Sequence, residues 1–579
     1  MSALDRIDHD SEDGIETGKR LIRIGGNGGA SLAERLSWRL HRLSWRTPFH
    51  SIRLRGRFPL KLLAVPKDPI AGDKNAGEAI LHGHFVYRGE SWPAEAVDFS
   101  DPSLPPAFAD YLQSFEWLRD LAAAATRERA AKLAEKILHK WLAEHSEQFS
   151  ERAWRADLWG RRILFWAAYA PYILSSRDIV YRSLVLNTIA RGARHLDKAA
   201  ERAPPGLARV TAWAGVIAAA LVVQGGPARL SRGEAGLMRA LSAALHDDGG
   251  LVSRSPTEQL ALVELLSQVR AAYYAAQHDV PEMVSETLDA TVSALLGVTL
   301  GDEALSSWQG GNMSTRRRIH AAVEGSGVRA RPLRQARGWG YQRLEAKNTI
   351  VVMDAAPPPP SRALRGGCAS TLAFELSDGA GRLVVNCGGA GADIDALPEA
   401  LARGLRTTAA HSTLTLGDRN STAIHDDNSL GKGVAQVELA RDETGGIGQV
   451  EASHDGYCRR YGLVHQRQLT LAADGKTLEG QDSLISAGRK RRHEDVPFAA
   501  RFHLAPQVEV TTTADGQGAL LRIRGGGVWQ FRCRGGRLSI EDSVWLDGEA
   551  TPHPSQQLIV AGESPADGMT IAWSFRRAG

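Results

Sequence analysis

Arg254 carries a planar guanidinium that can grip both oxygens of a carboxylate. Glu258 follows it by four positions, at what reads as the start of a helix, where the two could instead pair with each other. Asp247, Asp248 and Glu258 are the carboxylates that a glycoside hydrolase would draw on. His454 and Tyr457 stand three residues apart in HDGYCRRYG and could exchange a proton with a ligand if they face a cleft. His411, in AHSTLTLG, is of a type that titrates near neutrality. Tyr341, Arg460 and His465, with Arg467, complete the polar groups suited to holding a substrate. Each has an ordinary structural use as well. Arg254 can form an internal ion pair, His411 can support a strand, and the others can pack in strands or sit in solvated loops.

Several chemistries are disfavoured. GGNGG at 25–29 lacks the Lys-Ser/Thr ending and the buried strand of a phosphate loop. The four cysteines, Cys368, Cys387, Cys458 and Cys533, form no CxxC pair, which argues against a cysteine-rich zinc module and suits a reducing compartment. A net charge of +4 over 579 residues is too small to indicate nucleic acid, yet it suits an acidic ligand. Arginines at 329, 331, 334 and 337 and the run Arg489 to Arg492 could attract a polyanion or be solvated loop charge. The most apolar stretch, Val210 to Gln224, is too short to span a bilayer and reads as a buried helix. The polar start, MSALDRIDHDSEDGIETG, has no secretory pattern, so a cytoplasmic location is expected.

The elements that must position these groups change type along the chain. Residues 1–30 read as a disordered polar tail, and 31–100 as an extension. Its segment 31–46 repeats leucine at helical spacing with arginines between, a basic amphipathic helix that docks on its own protein or on a membrane. Short strands are expected at SIRLRG, LKLLAV and HFVYRG. From 101 to 305, apolar residues recur every three or four positions with Pro/Gly turns between them, as in an all-α domain of helix hairpins. Trp117, Trp141, Trp154, Trp159, Trp166 and Trp213 fall there, where they either form core or stack on sugar rings. From 306 to 579 many short segments alternate apolar and polar residues with no helices between, which predicts stacked antiparallel sheets.

This order, and five segments within it, resemble the heparinase II/III-like polysaccharide lyases and their alginate-lyase relatives. The segments are HDDGGLVSRSPTEQLALVELL (246–266), WGYQRLEAKNTIVVMDA (339–355), GGCASTLAFELSDGAGRLVVNCG (366–388), AHSTLTLGDRNST (410–422) and HDGYCRRYGLVHQRQLTL (454–471). The resemblance implies an α/α toroid followed by a large antiparallel β-sandwich. It also implies β-elimination on a uronate-containing polysaccharide: a base takes the C5 proton, an acid protonates the leaving O4, and a third group offsets the carboxylate.

Carried over residue by residue, the pattern is eroded. Glu258 stands where the family has its tyrosine. Leu207, Ala208 and Arg209 stand near its neutralising Asn or His. Gly366, Cys368, Ser370 and Asn386 replace four positions of its metal segment, and His411 alone matches a zinc ligand. No cofactor is therefore expected, and Cys368, Asn386 and His411 would make a poor zinc set. Within this frame Arg254, His411 and Tyr457 are the candidate catalytic groups; Glu258, Tyr341, His454, Arg460 and His465 are candidates for substrate binding. The expected partner is an acidic polysaccharide or oligosaccharide. A lyase is the first reading. A non-catalytic carbohydrate-binding or envelope-assembly protein on the same scaffold is the alternative, with a cell-envelope location.

Overall fold

A computed structural model describes residues 15–23, 54, 61–150, 152–223, 226–360, 364, 366–427, 429–488 and 494–578. The amphipathic segment 31–46, the segment SIRLRG apart from Leu54, and the run Arg489 to Arg492 lie outside these residues. LKLLAV forms no strand where it is described, whereas His84–Tyr87 pairs with Glu90–Pro93 in a small hairpin.

Helices dominate from Pro106 to Ser326, and their packing follows from residue type. Leu207–Val222 is apolar almost all round, and twelve of its residues are buried. It crosses the helix Ala156–Ala168 at two glycines: a Cβ on Gly215 would lie 2.4 Å from Gly160 Cα, and one on Gly160 would lie 2.2 Å from the Thr211 carbonyl oxygen. Only a residue without a side chain permits that approach. The helix Arg316–Ser326 follows position 305 and still packs on the helical part, where Arg318 Nε meets Glu264 Oε1 at 3.1 Å.

The tryptophans are core. Trp117, Trp141, Trp154, Trp159 and Trp166 are fully buried, and Trp213 is nearly so. Arg162 lies among them, 4.2 Å above the Trp141 ring and 4.5 Å from that of Trp159. Its guanidinium donates to the carbonyls of Gln113 and Ala153. Rings so enclosed cannot stack on a sugar.

The C-terminal half is two antiparallel sheets. One runs Gly18–Arg23, Gln436–Thr444, Ile447–His454, Leu463–Leu471, Thr477–Ser486, Gly568–Arg577, Val528–Arg534, Gly518–Ile523, Val508–Thr512. The other runs Arg537–Leu546, Pro552–Ser564, Val496–Leu504, Gly381–Val385, Phe374–Asp378, Thr349–Asp354, Tyr341–Ala346, with Leu414–Leu416 pairing beside it. Leu463–Leu471 buries every second residue, as a strand with one face on a core must. Phe374, Phe502, Phe531, Trp573 and Phe575 interlock between the layers. Gly18–Arg23 corrects the expectation of a disordered tail over 1–30: this stretch is an edge strand, and Ile22 is its buried residue. LIRI, short and flanked by glycines and acids, gave too little periodicity to be recognised. Among the described residues no helix is long and apolar enough to cross a membrane.

Candidate functional site

The segment 246–256 links the helical part to the β-part. Asp248 Oδ2 accepts from the backbone N–H groups of Gly338 (2.8 Å) and Trp339 (2.9 Å). A Cβ on Gly250 would strike Trp339 at 2.1 Å. The chain then turns through Arg254, whose φ of +57° is unusual for a branched-chain-free but bulky residue. Ser255 caps the helix Pro256–Ala275, accepting from Glu258 N. Glu258 thus sits in the first helical turn, where an acid suits the helix dipole. It is half-buried, and burial raises its pKa while a hydrogen bond from Ser253 opposes the rise.

Arg254 is enclosed and engaged. Its guanidinium donates to Asp354 Oδ1 (2.7 Å) and to the carbonyls of Trp339 (2.8 Å), Pro357 (2.9 Å) and Ala356 (3.3 Å). Tyr341 lies under it, 4.7 Å to the ring centre, and donates its hydroxyl to the Arg254 carbonyl at 2.7 Å. Asp354 Oδ2 accepts in turn from Ser370 Oγ (2.7 Å), and Ser370 receives a hydrogen bond from Gln309 Nε2 (2.8 Å). Arg254 and Tyr341 therefore join two parts of the fold. Neither presents a donor to solvent, which contradicts their expected roles at a substrate. The physical reason is saturation: a buried cation is retained by a fixed carboxylate and carbonyls.

His411 is buried and donates Nδ1–H to the Thr407 carbonyl at 2.7 Å. Burial pushes its pKa down to about 4, so it is neutral at pH 7 and a weak base. Tyr457 donates to the Leu414 carbonyl at 2.9 Å, and burial raises its pKa, which makes it a poor proton donor to a leaving group. His454 and His465 form a relay inside the sandwich. The Gly456 N–H donates to His454 Nδ1 (3.1 Å), His454 Nε2 meets His465 Nδ1 (3.4 Å), and His465 Nε2 donates to Asp482 Oδ1 (2.7 Å). Asp482 also accepts from Arg467 Nε (2.7 Å), Arg467 Nη2 (2.9 Å) and Trp573 Nε1 (2.8 Å). That chain assigns one ring proton to each histidine and leaves both neutral, in keeping with pKa values lowered chiefly by burial. Both are core supports, not substrate contacts.

The zinc positions do not fit a metal. Asn386 donates to Glu375 Oε1 (3.0 Å) and accepts from Ser412 N (3.0 Å). Cys368 is held as a thiol, its pKa pushed up to about 11 by burial. Among the described residues no three His, Cys, Asp or Glu groups gather as ligands would. Near the expected neutraliser, Arg209 Nε donates to the Ala203 carbonyl at 3.0 Å.

Of the candidates, Arg460 alone is exposed, and it leads to a feature that the motif reading missed. A groove of about 1780 Å³ on the β-part is lined by Arg403, Arg419, Lys432, Arg459 and Arg460, with His425 and one acid, Asp455. One wall is the loop 419–435, tied by Ala423 N to the Lys432 carbonyl (3.0 Å) and Gly431 N to the Ala423 carbonyl (2.7 Å). The other is the turn Cys458–Tyr461, whose last residue is followed by Gly462 at φ +69°. Asp455 Oδ1 joins the walls by accepting from Ala435 N (2.9 Å) and Gln436 N (3.3 Å), so one acid oxygen is turned inward. Arg403 meets Asp426 at 3.0 Å, though both are exposed. The available signal was cations in DRNST, GKG and CRRYG, three turn segments whose convergence no local pattern reveals.

Residues 328–574 match the family described as heparinase II/III-like, C-terminal. FtsZ-localized protein C of Caulobacter vibrioides is 29% identical over 555 residues, spanning 91% of this chain and 92% of that one. In fold, the chain is similar to heparinase III (TM-score 0.68, 12% identity, 96% and 93% of the two chains) and to heparan sulfate lyase HepC of Pedobacter heparinus (0.57, 15%, 94% and 88%). The C-terminal domain of this chain thus matches the heparinase II/III-like family, and the whole chain, a helical region followed by a sheet-rich domain, shares the fold of heparinase III.

Proposed function

We propose that this protein binds an acidic polysaccharide without cleaving it, as an envelope-assembly protein on a lyase scaffold. The observation that carries this reading is the engagement of Arg254, His411 and Tyr457 in internal hydrogen bonds. β-Elimination needs a base and an acid within reach of C5 and O4, and a donor that strengthens as the enolate forms. A buried histidine lowered to about 4, a tyrosine raised by burial and a saturated arginine meet none of these needs. Binding makes a lesser demand, which the exposed cations of the groove satisfy.

The printed name of the Caulobacter relative places that protein with FtsZ, and the alignment runs over nearly both chains. By that likeness we assign this chain to the division site. A fluorescent fusion should form a mid-cell band that disperses when FtsZ is depleted, and the purified protein should be retained on an immobilised uronate polymer and eluted by salt. A diffuse fusion, or passage through the column at low salt, contradicts the respective half of the proposal.

The lyase reading keeps one specific support. Glu258 occupies the family's tyrosine position, half-buried and with a raised pKa. Were the chain a lyase, Glu258→Gln would abolish its elimination products.

A further inference from the structure

The strand Gly18–Arg23 stands apart from every other strand of its sheet. It comes from the far N-terminus and pairs antiparallel with the edge strand Gln436–Thr444, in a register running from Gly18 opposite Arg441 to Arg23 opposite Gln436. Only Ile22 is buried, and Leu21 remains 42% exposed. The attachment is therefore mostly main-chain hydrogen bonding plus one apolar anchor. Elements with so little buried apolar surface open at low free energy.

Charge contributes on the outer face only. GKRLIR carries Lys19, Arg20 and Arg23, and the receiving strand QVELARDET carries Glu438, Arg441, Asp442 and Glu443. Arg20, however, pairs with Glu16 of its own segment (3.5 Å), and Glu443 is held by Arg334 and Arg441. Lys19 and Glu438 line one small cleft on the outer face, which also includes Glu451. Just before the strand, Glu16 is held by Arg337 (3.0 Å) and by Gln335, which accepts from its N–H at 2.9 Å. The strand thus has an address written in its register, its one buried residue and the contacts of Glu16, and any extended segment with that sequence satisfies it.

We propose that this edge is a strand-addition site that a second copy of the chain can fill, the N-terminal strands being exchanged between two molecules. An uncovered nine-residue edge must pair with something, and identical segments exchange with no new contact to create. Thirty residues separate Arg23 from Leu54, whose carbonyl accepts from Arg194 on the helical part. Their contour of up to roughly 100 Å is long enough to reach a neighbouring molecule. The six backbone pairs would be the same in either arrangement, so protein concentration decides between them.

Cysteine pairing reads this directly. Leu21 lies opposite Glu438, where two cysteines would be close enough for a disulfide. A full-length chain with both L21C and E438C should cross-link within itself under mild oxidation, which fixes the register. A tagged L21C chain mixed and incubated with an untagged E438C chain should yield a covalent heterodimer. Its yield should rise with protein concentration and fall at least several-fold when the L21C chain also carries Ile22→Asp, which removes the one buried apolar anchor. Each single variant oxidised alone sets the background from Cys458 and the other native thiols. A mixture that gives no heterodimer above that background, while the double variant cross-links internally, overturns the exchange. A double variant that fails to cross-link overturns the register on which the proposal stands.

Discussion

Arg254 and Asp354 meet at 2.7 Å with both side chains almost wholly buried, one from the helical part and one from the second sheet of the β-part. Removing one partner of a buried pair leaves the other charge without a counterpart, at a cost of roughly 3–5 kcal/mol. Arg254→Ala and Asp354→Ala should each lower the unfolding free energy, measured by denaturant titration, by that order. The double variant should lose less than the sum, because neither charge is then stranded. Full additivity would show that the contact does not couple the two residues.

Acid should destabilise the protein through its histidines. His411 and His503 are lowered to about 4 and about 3 by burial, against an ordinary value near 6.5. Between those values the unfolded chain binds protons that the folded chain does not, so stability falls as pH drops from about 6.5 towards 4 and 3. Glu375, raised to about 7 by burial, acts in the opposite sense: its folded form holds a proton over roughly pH 4.5 to 7, and it loses stability as pH rises through that window. Asp120, raised to about 6 by burial, acts as Glu375 does, and His145, lowered to about 4 by burial, acts with the other two histidines; the three histidines outweigh the two acids. Unfolding curves from pH 7 to pH 4 should show the decline, with a shallower slope in His503→Gln. An unchanged slope would remove His503 from this account.

The sequence made the helical and sheet-rich halves legible because burial imposes periods of 3.6 and 2 over long stretches, as in Leu463–Leu471. It also placed Glu258 at a helix start, but Arg254, expected to pair with it at helical spacing, lies on the turn before the helix and meets Asp354 instead. What it could not supply was direction. His454, His465 and Arg467 alternate along neighbouring strands in a way that fits either face, and only the opposing layer shows that they point inward to Asp482. The groove arises from residues up to about 130 positions apart, Pro358 to Ala487, and local patterns carry no information about such convergence.

The Gly160–Gly215 crossing should tolerate no side chain. Gly215→Val would force the two helices apart, since even its first carbon would lie 2.4 Å from a backbone atom. Overpacking of this kind costs typically about 1–3 kcal/mol or more. A thermal melt that matches the unsubstituted protein would show that the helices can separate freely.

Groove binding should be electrostatic and graded. Arg459→Ala and Arg460→Ala should each weaken retention of a uronate polymer about threefold, in keeping with exposed charge pairs worth up to about 1 kcal/mol. The effect should shrink as salt shortens the screening length. Arg316→Ala, far from the groove on the helical part, serves as the control. Equal losses in the control and the groove variants would refute the assignment of the ligand to this surface.

The central claim is binding without cleavage. Purified protein should be incubated with a panel of uronate polymers while near-ultraviolet absorbance is followed, because unsaturated products of β-elimination absorb there, and binding should be measured calorimetrically on the same samples. The account predicts saturable binding to at least one polymer with a flat absorbance trace. A steady, enzyme-dependent rise in absorbance that is lost in Glu258→Gln would contradict it and make the chain a lyase.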